Sequence, residues 1–187
     1  GCIILNVRTL YHIWLALTQG IPVLERIVSV TGDVVAEPKN LSVPLGTSIQ
    51  ELVEAAGLQY KRITATDHIW PAPTAVDDFV RFYKSLPENV WLHFHCQAGK
   101  GRTTSFMVMY DMMKNPSVPL KDILHRQYLL GGSYIAYDPS MPYPTKNWKD
   151  DYDHVKARMV AKFYEYVQQN HADHYAVPWS VWLKQRK

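Results

Sequence analysis

Cysteine is nearly absent from this chain. Cys2 and Cys96 are the only two in 187 residues, and they lie far apart among different neighbours. That excludes a disulfide framework and a paired-cysteine metal motif, and it leaves room for a free reactive thiol. Long apolar runs are also missing: no stretch approaches the roughly 20 residues needed to span a bilayer. The opening Gly-Cys-Ile-Ile-Leu-Asn-Val has neither an initiator Met nor the basic stretch of a signal peptide, so residue 1 is read as lying inside a longer chain. Charge of one sign is scarce as well. A net +3, spread along the sequence, does not point to nucleic acid, although a locally basic pocket for an anionic small molecule remains open. Neither an internal repeat nor a low-complexity segment is present. What is present is 47% apolar residues, enough for one ordinary domain or one domain with a small appendage.

Periodicity sketches the elements. Residues 2–5 read as a strand, and Leu10, Ile13, Trp14 and Leu17 follow at helical spacing before the break at Gly20-Ile21-Pro22. Val23 to Val30 reads as a strand entering a hairpin at Thr31-Gly32-Asp33. Ser48 with Glu51 three residues on predicts a capped helix that ends at Gly57. Residues 60–66 alternate like a strand, Thr74 with Asp77 suggests a second capped helix ending near Pro87, and Val90 to His95 reads as another strand. Helices are expected over 103–114, 120–130 and 152–169. Strands alternating with helices of this length imply an α/β fold with a parallel sheet flanked by helices, preceded by a small β-rich N-terminal segment.

The chemistry concentrates in residues 93–104, His-Phe-His-Cys-Gln-Ala-Gly-Lys-Gly-Arg-Thr-Thr. Cys96 and Arg102 are separated by five residues between a β-run and a helix. Ala98, Gly99 and Gly101 are small enough for backbone N–H groups to converge on one centre, where a helix start adds positive potential. Such a nest holds a phosphate dianion and lowers the thiol pKa, making the thiolate a nucleophile. The planar Arg102 guanidinium can grip two phosphate oxygens at once. Gln97 and Lys100 complete the loop as substrate-binding candidates, Lys100 by supplying a cation, and Thr103 can donate a hydroxyl hydrogen bond to the sulfur. A metal reading of His93, His95 and Cys96 is disfavoured, because in a strand the two histidines point away from the cysteine. His95 is expected to pack beneath the loop. An acid must also stand near the leaving oxygen. Asp67 is the candidate, since it ends the strand that starts near Tyr60, and parallel neighbours bring such ends to one edge of the sheet. Asp77 and Asp78 fit helix N-terminal roles, and His68 could add positive charge beside the site. Arg126, Lys146 and Lys149 are weaker sources of the same charge. The methionines 107, 109, 112 and 113 read as core filler, and the Trp179 and Trp182 pair reads as a C-terminal anchor.

Three segments, Thr66-Asp67-His68-Ile69-Trp70-Pro71, Trp91 through Thr104, and Pro178-Trp179-Ser180-Val181-Trp182-Leu183, resemble the protein-tyrosine-phosphatase-like phytases, bacterial inositol-phosphate phosphatases with a Cys-x5-Arg loop. The resemblance covers about residues 58–187. It implies a tyrosine-phosphatase-like fold, a phosphocysteine intermediate, no metal or other cofactor, and hydrolysis of inositol polyphosphates. It also implies that Asp67 is the general acid and that Thr103 helps the thiolate leave. Members of the family are typically exported by bacteria. The same loop would serve a tyrosine- or phosphoinositide-phosphatase, or a chain that binds phosphate without turnover.

Residues 1–57 look different. The stretches 20–33 and 43–57 resemble the β-grasp segment of the C subunit of Rnf-type electron-transport complexes, without that subunit's glycine-rich flavin and nicotinamide sites or its iron–sulfur cysteines. The expected organisation is therefore a β-grasp-like fragment over 1–57 and a phosphatase catalytic portion over 58–187, joined between residues 46 and 60. The family's upstream half, which supplies the rest of the sheet and a small partial barrel, has no counterpart that aligns. The expected partner is an anionic inositol phosphate, with no nucleic acid and no membrane span.

Overall fold

The computed structural model of the chain describes residues 4–32, 35, 37–135 and 148–186. It divides into two compact units, Gly1–Arg62 and Ile63–Lys187, a few residues beyond the 57/58 boundary expected from sequence. Cys2, Asp33 and Lys146 lie outside the described residues.

The first unit holds α1 (Val7–Gln19), β1 (Glu25–Val30), β2 (Lys39–Pro44) and α2 (Ile49–Ala55). Asn6 caps α1 by accepting from the Arg8 amide, and Gly20 closes it at φ 66°, a left-handed conformation that glycine adopts without a Cβ penalty. The described residues 4–6 form no strand before it. Strands β1 and β2 pair antiparallel with Val28 opposite Leu41. Ser48 and Glu51 form the reciprocal capping box of α2.

The second unit contains α3 (Pro73–Ser85), α4 (Gly101–Lys114), α5 (Leu120–Leu129), α6 (Asp150–Asn170) and α7 (Trp179–Lys184). Helix α4 runs through its middle, against α5 on one side and α6 on another, while α7 packs on α3 and α6. Thr103, Thr104 and Ser105 near its start are buried along with Val108, Met109, Met112 and Met113, so apolar and hydroxyl side chains alike are drawn inside. Around it Val76, Phe79, Ile123, Val160, Phe163, Tyr166, Val167 and Trp179 are almost fully enclosed. The ring of Trp179 sits 5.4 Å from those of Phe163 and Trp182, in keeping with the anchoring role. Burying side chains of this size stabilises each by about 1.5–3 kcal/mol. Met107 is only half-buried.

Helix α3 departs from the expectation in its cap. Pro73 at the first position fixes φ, Ala72 precedes it without a side-chain cap, and Thr74 lies inside the helix. Asp77 serves a different helix, since its carboxylate accepts from the Ser180 amide, 3.0 Å away, at the start of α7.

The larger correction concerns the sheet. Among the described residues the sole sheet is the antiparallel β1–β2 pair, and no parallel ladder forms through 60–66 or 90–95. Both segments nevertheless alternate in exposure, the first from Arg62 onward. Leu92, Phe94 and Cys96 are half-buried, whereas Trp91, His93 and His95 are exposed. Period-2 patterning specifies a buried face, and that face is realised here by Phe94 packing on Phe79 and Tyr110. A ladder needs a neighbouring strand in register as well, which the pattern alone does not supply.

Candidate active site

Cys96 ends the extended segment that begins near Val90, and α4 begins five residues later. The intervening turn is possible because Gly99 takes φ 64°. Gln97, Ala98, Gly99 and Lys100 are exposed, while Gly101 and Arg102 are half-buried at the head of α4. The chain thus wraps the half-buried thiol with the first amides of a helix.

These surroundings act on the thiol in opposite directions. Burial raises its pKa, but the Thr103 hydroxyl and the backbone amides of Thr103, Lys100 and Ala98 together outweigh that effect and bring Cys96 from 9.0 down to about 6. Near neutrality the sulfur is therefore mostly thiolate. The Thr103 oxygen is buried and makes no hydrogen bond of standard geometry to any described group, which leaves its proton for the sulfur.

Asp67 comes to the same place from the turn after residues 60–66. Its Oδ1 accepts from the His68 amide at 3.0 Å and lies 3.3 Å from Arg102 Nε. The direction at Nε is poor for a hydrogen bond, so the second contact is an ion pair. Asp67 Oδ2 lies 3.6 Å from His68 Nε2. His68 has φ 65°, a left-handed conformation costly for a residue with a Cβ and one that concentrates at functional sites. It aims the His68 ring at Trp148, with centroids 4.9 Å apart and nearly perpendicular.

Other expected contributors are placed differently. Lys100 Nζ donates to the Gly131 carbonyl at 2.7 Å. Arg126 is bound to Asp111 by two hydrogen bonds, one of them 2.5 Å from Nε, so its charge serves the joint between α4 and α5. Lys149 lies over the Trp148 ring at 5.1 Å. His95 does not pack beneath the loop: it is exposed and its ring lies beside that of His93. The alternation that carries Phe94 and Cys96 inward carries both histidines outward. Among the described residues no group of three or more His, Cys, Asp or Glu side chains could hold a metal. Nor is any described helix long and apolar enough to cross a membrane.

Two clefts among the described residues of this unit leave the loop outside their lining. One, about 260 Å³, is lined by Val90, Trp91, Leu92, Phe94, Met107, Tyr110 and Gln127. The other is lined by Thr64, Thr66, Thr74, Asp78 and nearby alanines. The loop is a surface nest around the thiol.

A half-buried thiolate, converging amides, an arginine and a carboxylate within reach of that arginine form a phosphoryl-transfer arrangement. The family described as PTP-like phytase, inositol hexakisphosphate, matches residues 17–114. The chain belongs to this family. The matched residues include Cys96, Arg102 and all of α4. The match begins well upstream of residue 58, where the sequence resemblance starts, and so extends into the first unit.

The structure is similar to the tandemly repeated protein tyrosine phosphatase like phytase of Mitsuokella multacida, with 53% identity, a TM-score of 0.70, and coverage of 86% of this chain and 27% of that one. It is similar also to the PTP-like myo-inositol phosphatase of Mitsuokella multacida solved with myo-inositol-(1,3,4,5)-tetrakisphosphate, at 47% identity and a TM-score of 0.70, covering 96% of this chain and 31% of that one. The chain therefore spans less than a third of either relative. At these identities the PTP-like phytase fold is shared. A partial match of another kind joins the chain to the C subunit of the ion-translocating oxidoreductase complex of Serratia proteamaculans, 39% identical over 59 residues, or 32% of this chain and 8% of that protein.

Sequence reasoning missed three features of the site: the Arg102–Asp67 pairing, the capture of Lys100 by Gly131, and the left-handed His68. The first two are contacts between distant segments and leave no local pattern. The third had a faint signal, the Thr-Asp-His-Ile-Trp-Pro run of turn formers, but nothing that singled out His68.

Proposed function

We propose that the chain is a cysteine-dependent phosphatase that removes phosphate from inositol polyphosphates, phytate among them, through a phosphocysteine intermediate. The observation that carries this reading is the geometry around Cys96, where the amides of Ala98, Lys100 and Thr103 and the Thr103 hydroxyl face the thiol and Arg102 follows at the head of α4.

In the first step Cys96 Sγ attacks phosphorus, a sulfur–phosphorus bond forms and the ester oxygen–phosphorus bond breaks. Asp67 gives its proton to the departing inositol oxygen. Arg102 and the amides of residues 97–101 hold the equatorial oxygens as charge redistributes. In the second step Asp67 takes a proton from water, the water oxygen bonds to phosphorus, and the thiolate departs with the Thr103 hydroxyl donating to it. His68 stands beside Asp67 as a further contact for the substrate. The exposure of Gln97 through Lys100 favours a substrate carrying phosphates on several faces of a ring over one that must thread a deep slot. A relative solved with an inositol tetrakisphosphate supports the same class.

The test is phosphate release from phytate by the full chain, with Cys96→Ser and a phosphotyrosine peptide as comparisons. Release from phytate that disappears in Cys96→Ser is expected. Preference for the peptide would transfer the assignment to a tyrosine phosphatase, and phosphate binding without release from any ester would leave a binding module.

A further inference from the structure

The first turn of α4 carries three hydroxyl residues, Thr103, Thr104 and Ser105, all buried. Thr103 serves the sulfur. Thr104 faces a different neighbour: Oγ1 donates to the Lys100 carbonyl at 3.0 Å and accepts from the Ser133 amide at 2.8 Å. The Thr104 amide donates to the same Lys100 carbonyl at 2.8 Å. Ser105 provides an internal comparison, because its hydroxyl donates to the Gly101 carbonyl, 3.0 Å away, in the ordinary back-bonding fashion of a helical serine. What sets Thr104 apart is the amide of a distant turn.

That turn, Gly131–Ser133, holds the catalytic loop a second time, through Lys100 Nζ on the Gly131 carbonyl at 2.7 Å. It can lie so close because residue 132 is glycine. A Cβ there would stand 2.7 Å from the Gln127 carbonyl oxygen and 2.9 Å from Thr104 Oγ1. Gln127 in turn donates to Asp111 of α4 at 2.9 Å, so the end of α5 is fixed to the helix that the loop begins. Lys100 is thereby gripped at its carbonyl by Thr104 and at its side chain by Gly131, while its amide is one of the three that face the sulfur.

We propose that Thr104 is a positioning residue for the nucleophile, relaying the Gly131–Ser133 turn onto Lys100 so that the Lys100 amide stays aimed at Cys96. This rests on the phosphatase reading above. A valine at 104 would keep the shape but leave the Ser133 amide without its acceptor and the Lys100 carbonyl with one bond fewer. The loop would then lose the fixed direction of an amide that stabilises the anion, and the thiol would titrate higher.

The experiment measures iodoacetamide labelling of the Cys96 peptide against pH by mass spectrometry, in the full chain and without substrate. Thr104→Val is expected to move the midpoint upward and to slow labelling at mildly acidic pH by about fivefold, the size of one neutral hydrogen bond. Thr104→Ser, which retains the hydroxyl, should label within about twofold of the parent. Gly132→Ala, in a half-buried turn, pushes that turn off Thr104 while leaving every residue of α4 unchanged, and should shift the midpoint in the same direction. It decides the matter should Thr104→Val fail to fold. An unshifted midpoint in either folded valine or alanine variant overturns the proposal. The two readings fail separately: shifted midpoints in a chain that turns over no ester would remove the phosphatase function and keep the clamp, whereas normal turnover with unshifted midpoints would do the reverse.

Discussion

Arg102 Nε lies 3.3 Å from Asp67 Oδ1, so the two groups that the proposed function assigns to gripping phosphate and to protonating the leaving oxygen are paired with each other. Incoming phosphate must take Arg102 from Asp67. Because Asp67 is the more exposed partner, the pair contributes no more than about 1 kcal/mol.

Asp67→Asn therefore has two expected effects of opposite sign. Inorganic phosphate, measured by calorimetry, should bind up to about fivefold more tightly, because the competing carboxylate charge is gone. Turnover of phytate should fall about 10²-fold or more, whereas an aryl phosphate whose leaving group needs no proton should lose far less. Equal losses on both esters would remove Asp67 from the acid role.

The depressed Cys96 pKa sets a pH window for stability. Between about 6 and 9.0 the folded chain holds the thiolate while the unfolded chain binds the proton. This group's contribution is thus fully present above the upper limit, falls as pH drops through the window, and vanishes below the lower one. Urea denaturation of the chain against Cys96→Ala should show the parent's relative stability rising across that range. A difference independent of pH would contradict the thiolate assignment.

How much of this is legible in the sequence varies by element. The Ser48–Glu51 capping box and the helix start after Cys96 are local signals, and both appear where the residues place them. Asp67 is legible through its position at the end of an alternating segment, although residues 60–66 form no ladder; the extended direction of the chain alone brings it to Arg102. The parallel sheet is an overreading, since alternation at 90–95 encodes which side chains turn inward and says nothing of a neighbouring backbone. Lys100 reads as a free cation in sequence because its capture depends on Gly131, thirty-one residues away.

The joint between α4 and α5 depends on a buried carboxylate. Burial raises the Asp111 pKa, but hydrogen bonds from Arg126, Gln127 and Asn115 and the Arg126 charge outweigh it and hold the carboxyl below its ordinary 3.8. Its contribution is present above that value and lost as pH falls through the lower folded value. Asp111→Ala, which leaves three donors without their acceptor, should destabilise the chain by about 1–3 kcal/mol in urea denaturation near neutral pH, the figure discounted for the partial exposure of Arg126. A neutral result would show that the ion pair only decorates the surface.

Attack of Cys96 on phosphorus leaves a covalent trace, which acid quenching of the full chain during turnover of phytate and mapping of phosphate by mass spectrometry would reveal. One phosphoryl group on Cys96 is expected in the parent and none in Cys96→Ser. Phosphate release from phytate with Cys96 never modified, and undiminished in the serine variant, would contradict it.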